Sequence, residues 1–173
     1  MFLKYSTFSF RIAELCLKTG NWTRTELAEC AFLYPSCLCV WENTVYFLSS
    51  VIFPARGSCY KYKSGKASKV CHRLPFHCDG FLIAVSGRLV KLCQFSHESY
   101  VFDLAASSVH WTNVDSCPDV PFCVCVFQDT IFAITETKEI WRGTVYQSAL
   151  SWNRFGVTSH TPRMETCGIA ALR

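Results

Sequence analysis

"SYVFDLAASSVHWTNV", residues 99–114, is the stretch from which the architecture can be worked out. Strand formers from Tyr100 to Phe102 run into Asp103, small residues follow, and Trp111 opens a second run of strand formers. The pattern reads as strand, turn and strand. One hairpin alone is marginally stable at best in water, so what matters is whether the unit recurs.

It recurs. "SCYKYKSGKASKVCHRL" (58–74) and "GTVYQSALSWNRFGV" (143–157) share its form. Trp152 stands where Trp111 does, and Val70 or Cys71 takes that place in the 58–74 copy. At the start, "FSFRIAELCLKTGNWTRT" (8–25) offers another such pair, ending near Trp22. A second set of hairpins alternates with these: "CLCVWENTVYFLSS" (37–50), "FLIAVSGRLVKLCQ" (81–94) and "CVCVFQDTIFAITE" (123–136). Their turns, Glu42-Asn43-Thr44, Ser86-Gly87-Arg88 and Gln128-Asp129-Thr130, contain the Asn, Gly and Asp that tolerate left-handed backbone angles. Val45, Leu89 and Ile131 open the second strands, giving repeat steps of 44 and 42 residues. Four short strands in that length match one propeller blade. The one helical competitor, "TRTELAECAFL" (23–33), reads better as a loop and strand approach between blade parts.

The bulk numbers agree with a packed domain. Half of the 173 residues are apolar and 15% aromatic, which excludes a disordered chain. A net charge of +4, from 17 basic and 13 acidic residues, needs no nucleic acid to explain it. No stretch of about 18 residues is free of charged or strongly polar side chains, so no membrane span is expected. Lys4, Arg11, Glu14 and Lys18 interrupt what would be a signal peptide, so the expectation is the cytoplasm or the nucleus. Twelve cysteines are then small buried strand residues rather than a disulfide framework.

With "YVFDLAASSVHW" (100–111) on one strand pair, the element order resembles the kelch repeats of the BTB–kelch proteins. The resemblance covers roughly residues 8–173 and departs from the family at one place. Ser49-Ser50, Cys93-Gln94 and Thr135-Glu136 replace the family's paired glycines, so these would be degenerate blades. It implies an all-β, partial kelch-type propeller. The expected divisions are a partial N-terminal blade and linker (1–35), blades at 36–80, 81–121 and 122–166, and a first strand of an incomplete blade at 167–173. In that family the propeller commonly recruits substrates to a cullin-RING ubiquitin ligase. The cullin is bound by a BTB module, which no segment here resembles.

Reactive groups are scattered. Cys37/Cys39 and Cys123/Cys125 sit at alternate strand positions, where a core layer explains them. "CHRLPFHC" (71–78) brings Cys71, His72, His77 and Cys78 close in sequence, but adjacent strand residues point to opposite faces, so no metal is expected. The basic run "RGSCYKYKSGKASKVCHR" (56–73) interleaves lysines with Tyr60 and Tyr62 and reads first as a solvated outer strand, then as a surface for an acidic partner. No nucleophile elbow or phosphate loop is present, so neither catalysis nor a cofactor is expected.

The reading is a non-catalytic protein-binding module, with no nucleic acid or membrane partner. Contact loops should follow the second strand of each first hairpin, at 50–57, 94–99 and 136–143, offering Phe53, Arg56, Phe95, His97, Glu98, Lys138 and Trp141. Two alternatives stand beside it: a Cys/His metal-binding or redox protein, and an unstable truncated isoform whose end blades expose apolar faces.

Overall fold

The computed structural model describes residues 10–15, 18–27, 34–50, 57–71, 73–106 and 110–159. Every regular element among them is a strand. β1 (Phe10–Leu15) and β2 (Trp22–Leu27) pair as a two-stranded antiparallel sheet. Then come three four-stranded antiparallel sheets, each in chain order. The first holds β3 (Tyr34–Trp41), β4 (Thr44–Ser50), β5 (Ser58–Lys63) and β6 (Lys66–Cys71). The second holds β7 (Phe81–Val85), β8 (Arg88–Leu92), β9 (Ser99–Asp103) and β10 (Thr112–Val114). The third holds β11 (Pro121–Phe127), β12 (Thr130–Thr135), β13 (Glu139–Tyr146) and β14 (Ala149–Val157). The 23–33 window is strand as far as Leu27, and its remainder lies outside the described residues.

The first hairpin of each sheet closes through two residues, within the expected two or three. Glu42/Asn43, Ser86/Gly87 and Gln128/Asp129 all have φ between 46° and 72°. Two successive left-handed residues make the type I′ turn, whose twist matches that of the flanking strands. Thr44, Arg88 and Thr130 therefore already belong to the second strands.

The sheets stack face to face, and their first strands lie side by side. Between the first and second sheets pack Leu48, Cys59 and Cys71 on one side, and Leu82, Leu89, Tyr100, Phe102 and Trp111 on the other, with Leu74, Phe76 and Cys78 of the connection. Between the second and third pack Val85, Val90, Leu92 and Val101 against Ile131, Val145 and Leu150. Alternation produces both layers from one strand: Leu82 and Ala84 face the first sheet, Phe81, Ile83 and Val85 the third. The outermost faces are less covered. Leu38 and Val40 of β3 are 62% and 60% exposed, and Phe155 and Val157 of β14 are 62% and 59% exposed.

Pairing register explains where the tryptophans stand. Gly143 pairs with Trp152, and Trp111 directly precedes Thr112, the partner of Val101, which brings it opposite Phe102. The same position in the first sheet is Ala67, opposite Tyr62, and not Val70 or Cys71. Each pair shares one volume. Tyr62 sits with Ala67, Phe102 with Trp111 at 5.3 Å between ring centroids, and Trp152 lies over Gly143, where an added Cβ would come within 2.8 Å of the indole. Both indole N–H groups reach back toward the preceding sheet: Trp111 to Cys71 Sγ at 3.3 Å, Trp152 to the Asp115 carbonyl at 3.2 Å.

The second strands of the three sheets run into the pairs Ser49-Ser50, Cys93-Gln94 and Thr135-Glu136. Ser49, Cys93 and Thr135 are all buried, at 0%, 2% and 0% exposure. Small side chains are thus packed at all three positions. The second sheet also buries Lys91 completely; its ammonium donates to the Leu92 carbonyl at 3.2 Å and lies 5.9 Å from the Phe76 ring centroid.

The cysteines serve this packing. Cys37 and Cys39 border the first core layer, and Cys59 and Cys71 face each other across β5 and β6. Burial pushes the Cys59 thiol far up, Cys39 up to about 12 with help from Cys37, and Cys117 up to about 11. The unfolded chain then deprotonates first, and the folded state loses stability as pH rises above the ordinary thiol value of 9.0. The urea midpoint should fall between pH 9 and pH 11 and recover on return to neutrality, and a flat midpoint across that range would contradict thiol burial.

Candidate functional site

In an up-and-down order of strands, alternate connections lie at opposite ends of the stack. The two-residue turns occupy one end, where the Ser86 N–H donates to Asp129 Oδ1 at 3.3 Å, joining the second and third sheets. The connections 73–80, 93–98, 115–120 and 136–138 share the other end.

Two aspartates organise that end. Asp79 Oδ2 accepts from the backbone N–H of Gln94 at 2.9 Å and of Phe95 at 3.0 Å. In the next sheet Asp119 accepts from the Thr137 hydroxyl and from the Thr137 backbone N–H at 3.3 Å. Each stands two residues before its sheet's first strand, Asp79-Gly80-Phe81 and Asp119-Val120-Pro121. Burial pushes the Asp119 carboxyl up, but its hydrogen bonds from Thr137, Val120 and Thr135 outweigh this and leave it below the ordinary range. The carboxylate form is the one these donors hold.

The 93–98 loop is consequently fixed at both ends. Cys93 N–H donates to the Glu98 carbonyl at 2.9 Å, and His97 takes a left-handed φ of 55°. Phe95, 82% exposed, stands out from this closed loop, with the His97 and Glu98 side chains also in solvent. His97, Cys93 and Leu92 meet Cys117, Asp119 and Pro121 of the next connection along a shallow surface crease with no room for a ligand. The 136–138 loop is shorter than expected. Lys138, half-buried with φ 69°, donates its N–H to the Thr135 carbonyl at 2.9 Å, and β13 begins one residue later. Trp141 is therefore a strand residue, opposite the buried Ala133, with its indole N–H on Glu139 Oε2 at 3.1 Å. Phe53 and Arg56 lie outside the described residues.

Of the expected positions, the structure thus brings Phe95, His97, Glu98 and Lys138 to one end and places Trp141 within a sheet. Asp79 and Asp119 are the residues that reading the sequence misses; an aspartate two to four positions ahead of the expected hairpins at 81 and 123 is the available signal, and the hairpin at 37 has none. Of the Cys/His run, Cys71 and Cys78 share the first core layer. His77 is exposed, and His72 lies outside the described residues. Among the described residues no group of three or more His, Cys, Asp or Glu is placed to hold a metal. No described helix is long and apolar enough to cross a membrane.

No protein-family model matches the chain, and neither does any curated protein. Among solved structures, "YCF48 bound to D1 peptide" superposes with a TM-score of 0.50 at 13% identity over 81% of this chain. The match spans 46% of that structure's chain, so this sequence corresponds to less than half of its length. Three stacked four-stranded antiparallel sheets, together with that neighbour, make the chain an all-β protein of propeller-like fold.

Proposed function

We propose that the chain is a non-catalytic protein-interaction module that holds its partner at the end carrying the 73–80, 93–98, 115–120 and 136–138 connections. The observation that carries this is Phe95: a large apolar side chain, 82% exposed, on a loop that Asp79 pins through two backbone hydrogen bonds. An ordered aromatic loses little conformational entropy on binding, which is what an interface anchor requires. The D1 peptide bound by YCF48 supports the same use of a propeller-like fold. Glu98, His97 and Lys138 supply polar contacts around the anchor, and Phe53 and Arg56 belong to the same reading.

The kelch character and a place as substrate adaptor of a cullin-RING ubiquitin ligase are supported by the repeat spacing and the Tyr100–Trp111 motif alone, and a place in the cytoplasm or nucleus belongs to the same reading. Cullin contact would need a BTB module.

Proximity labelling of the full chain in cells, followed by capture of the labelled proteins with purified chain, tests the site. Phe95→Ala should weaken capture at least tenfold while leaving the thermal midpoint unchanged, because the side chain is in solvent. Equal capture by wild type and by the combined Phe95→Ala, His97→Ala, Lys138→Ala variant would remove this end as the binding site.

A further inference from the structure

The basic run of the first sheet looks different once folded. Residues 56–73 hold six of the 17 basic side chains and no acidic one, which leaves 11 basic against 13 acidic residues elsewhere. The chain's whole positive excess therefore sits in the outer hairpin β5–β6 and its flanks. Lys61, Lys63 and Lys66 are exposed, and the ion pairs among the described residues, Arg88–Asp103 and Arg154–Glu139, both lie in other sheets.

Two observations separate this patch from an ordinary solvated edge. A lysine that discourages edge pairing belongs on the edge strand. Lys61 and Lys63 are on β5, an interior strand already paired with β4 and β6, so they guard no edge. Lys63 also pairs directly across from Lys66, a like-charge juxtaposition that destabilises the hairpin. An anionic partner would relieve that repulsion.

The same geometry says which anion. In sequence the lysines interleave with Tyr60 and Tyr62, as in a surface that stacks nucleic-acid bases. In the fold both tyrosines are buried, at 6% and 1% exposure, on the opposite face of β5; Tyr60 stacks on Phe47 at 5.3 Å. The one ring on the lysine face of β4, Tyr46 opposite Lys61, is itself half-buried, so the patch lacks the exposed aromatic platform on which single-stranded nucleic acid stacks. It does offer an edge, since among the described residues β6 is the last strand of its sheet. We infer that the β5–β6 hairpin is a second docking surface, which takes an acidic, extended protein segment along β6 with its carboxylates against Lys61, Lys63 and Lys66. Backbone pairing on the edge would give affinity, and the lysines would select the charge.

Fluorescence anisotropy of the full chain with a labelled Glu-rich peptide of ten residues tests this. Binding should saturate, weaken between 50 and 200 mM salt, and fall at least tenfold in Lys61→Gln/Lys63→Gln/Lys66→Gln. Phe95→Ala should leave it unchanged, which separates this surface from the loop end. Circular dichroism should show the triple variant folded, because all three side chains are in solvent. No saturable binding, or equal binding by the triple variant, would overturn the inference. Tighter binding of a single-stranded oligonucleotide of equal charge would replace it with a nucleic-acid surface.

Discussion

Trp111→Ala lowers the unfolding free energy by about 3–5 kcal/mol, the range for deleting a buried indole. The side chain is 8% exposed and binds two sheets together. Its ring meets Phe76 edge-on at 5.0 Å and Phe102 at 5.3 Å, and its N–H reaches Cys71 of the first sheet. Trp111→Phe keeps most of the ring contact and loses the donor, so its cost should be nearer 1 kcal/mol. Urea unfolding followed by circular dichroism reads both. A loss below about 1 kcal/mol for the alanine variant would mean that the two sheets do not depend on this contact for their stacking.

Gly80→Ala should have a comparable effect through the backbone. Gly80 has φ 80°, and a Cβ there would lie 2.3 Å from the Leu92 carbonyl oxygen and 2.9 Å from the Gln94 nitrogen. Neither atom belongs to a side chain that can swing aside, so the connection must move off β8. Strain at a left-handed position costs about 1–3 kcal/mol before any clash, and the displacement adds to it. The same movement withdraws Asp79 from the Gln94 and Phe95 amides, which couples stability to the proposed site. Gly80→Ala should thus lower the thermal midpoint and speed amide exchange at Gln94 and Phe95. Gly87→Ala is the control: its φ of 72° carries the same backbone strain, yet nothing lies within 4 Å of an added Cβ. It should cost less and leave the 93–98 loop unchanged. Equal losses in the two variants would show that contact with β8 is not what constrains this connection.

These two residues also mark how far the sequence can be read. Alternating apolar residues about a turn, as in "CLCVWENTVYFLSS", specify a half-buried hairpin directly, so the repeating strand pairs are visible without coordinates. The equivalence of Trp111 and Trp152 is visible too. Its third member is not, because Ala67 carries no ring and is found only by counting across β5 and β6 from their turn. Trp141 reads as a loop residue for a similar reason. Lys138 turns the chain at a left-handed angle, and β13 starts immediately afterwards. Asp79 and Asp119 stay hidden because their partners lie 15 to 18 residues away and, the Thr137 hydroxyl apart, are backbone amides, which carry no residue-type signal. The interleaved tyrosines and lysines of β5 are legible as alternation, but only the fold shows that the rings face inward.

Separate four-stranded sheets stacked by their side chains leave a distinct pattern of proton–proton contacts, which nuclear magnetic resonance on the full chain would read. Amide pairing is expected within sheets, such as Val90 with Val101. Between sheets only side-chain contacts are expected, including Trp111 to Cys71 and Val90 or Val101 to the layer containing Ile131 and Val145. Amide-to-amide pairing between β3 and β7, or between β7 and β11, would instead make the chain one continuous sheet and contradict the stacked arrangement.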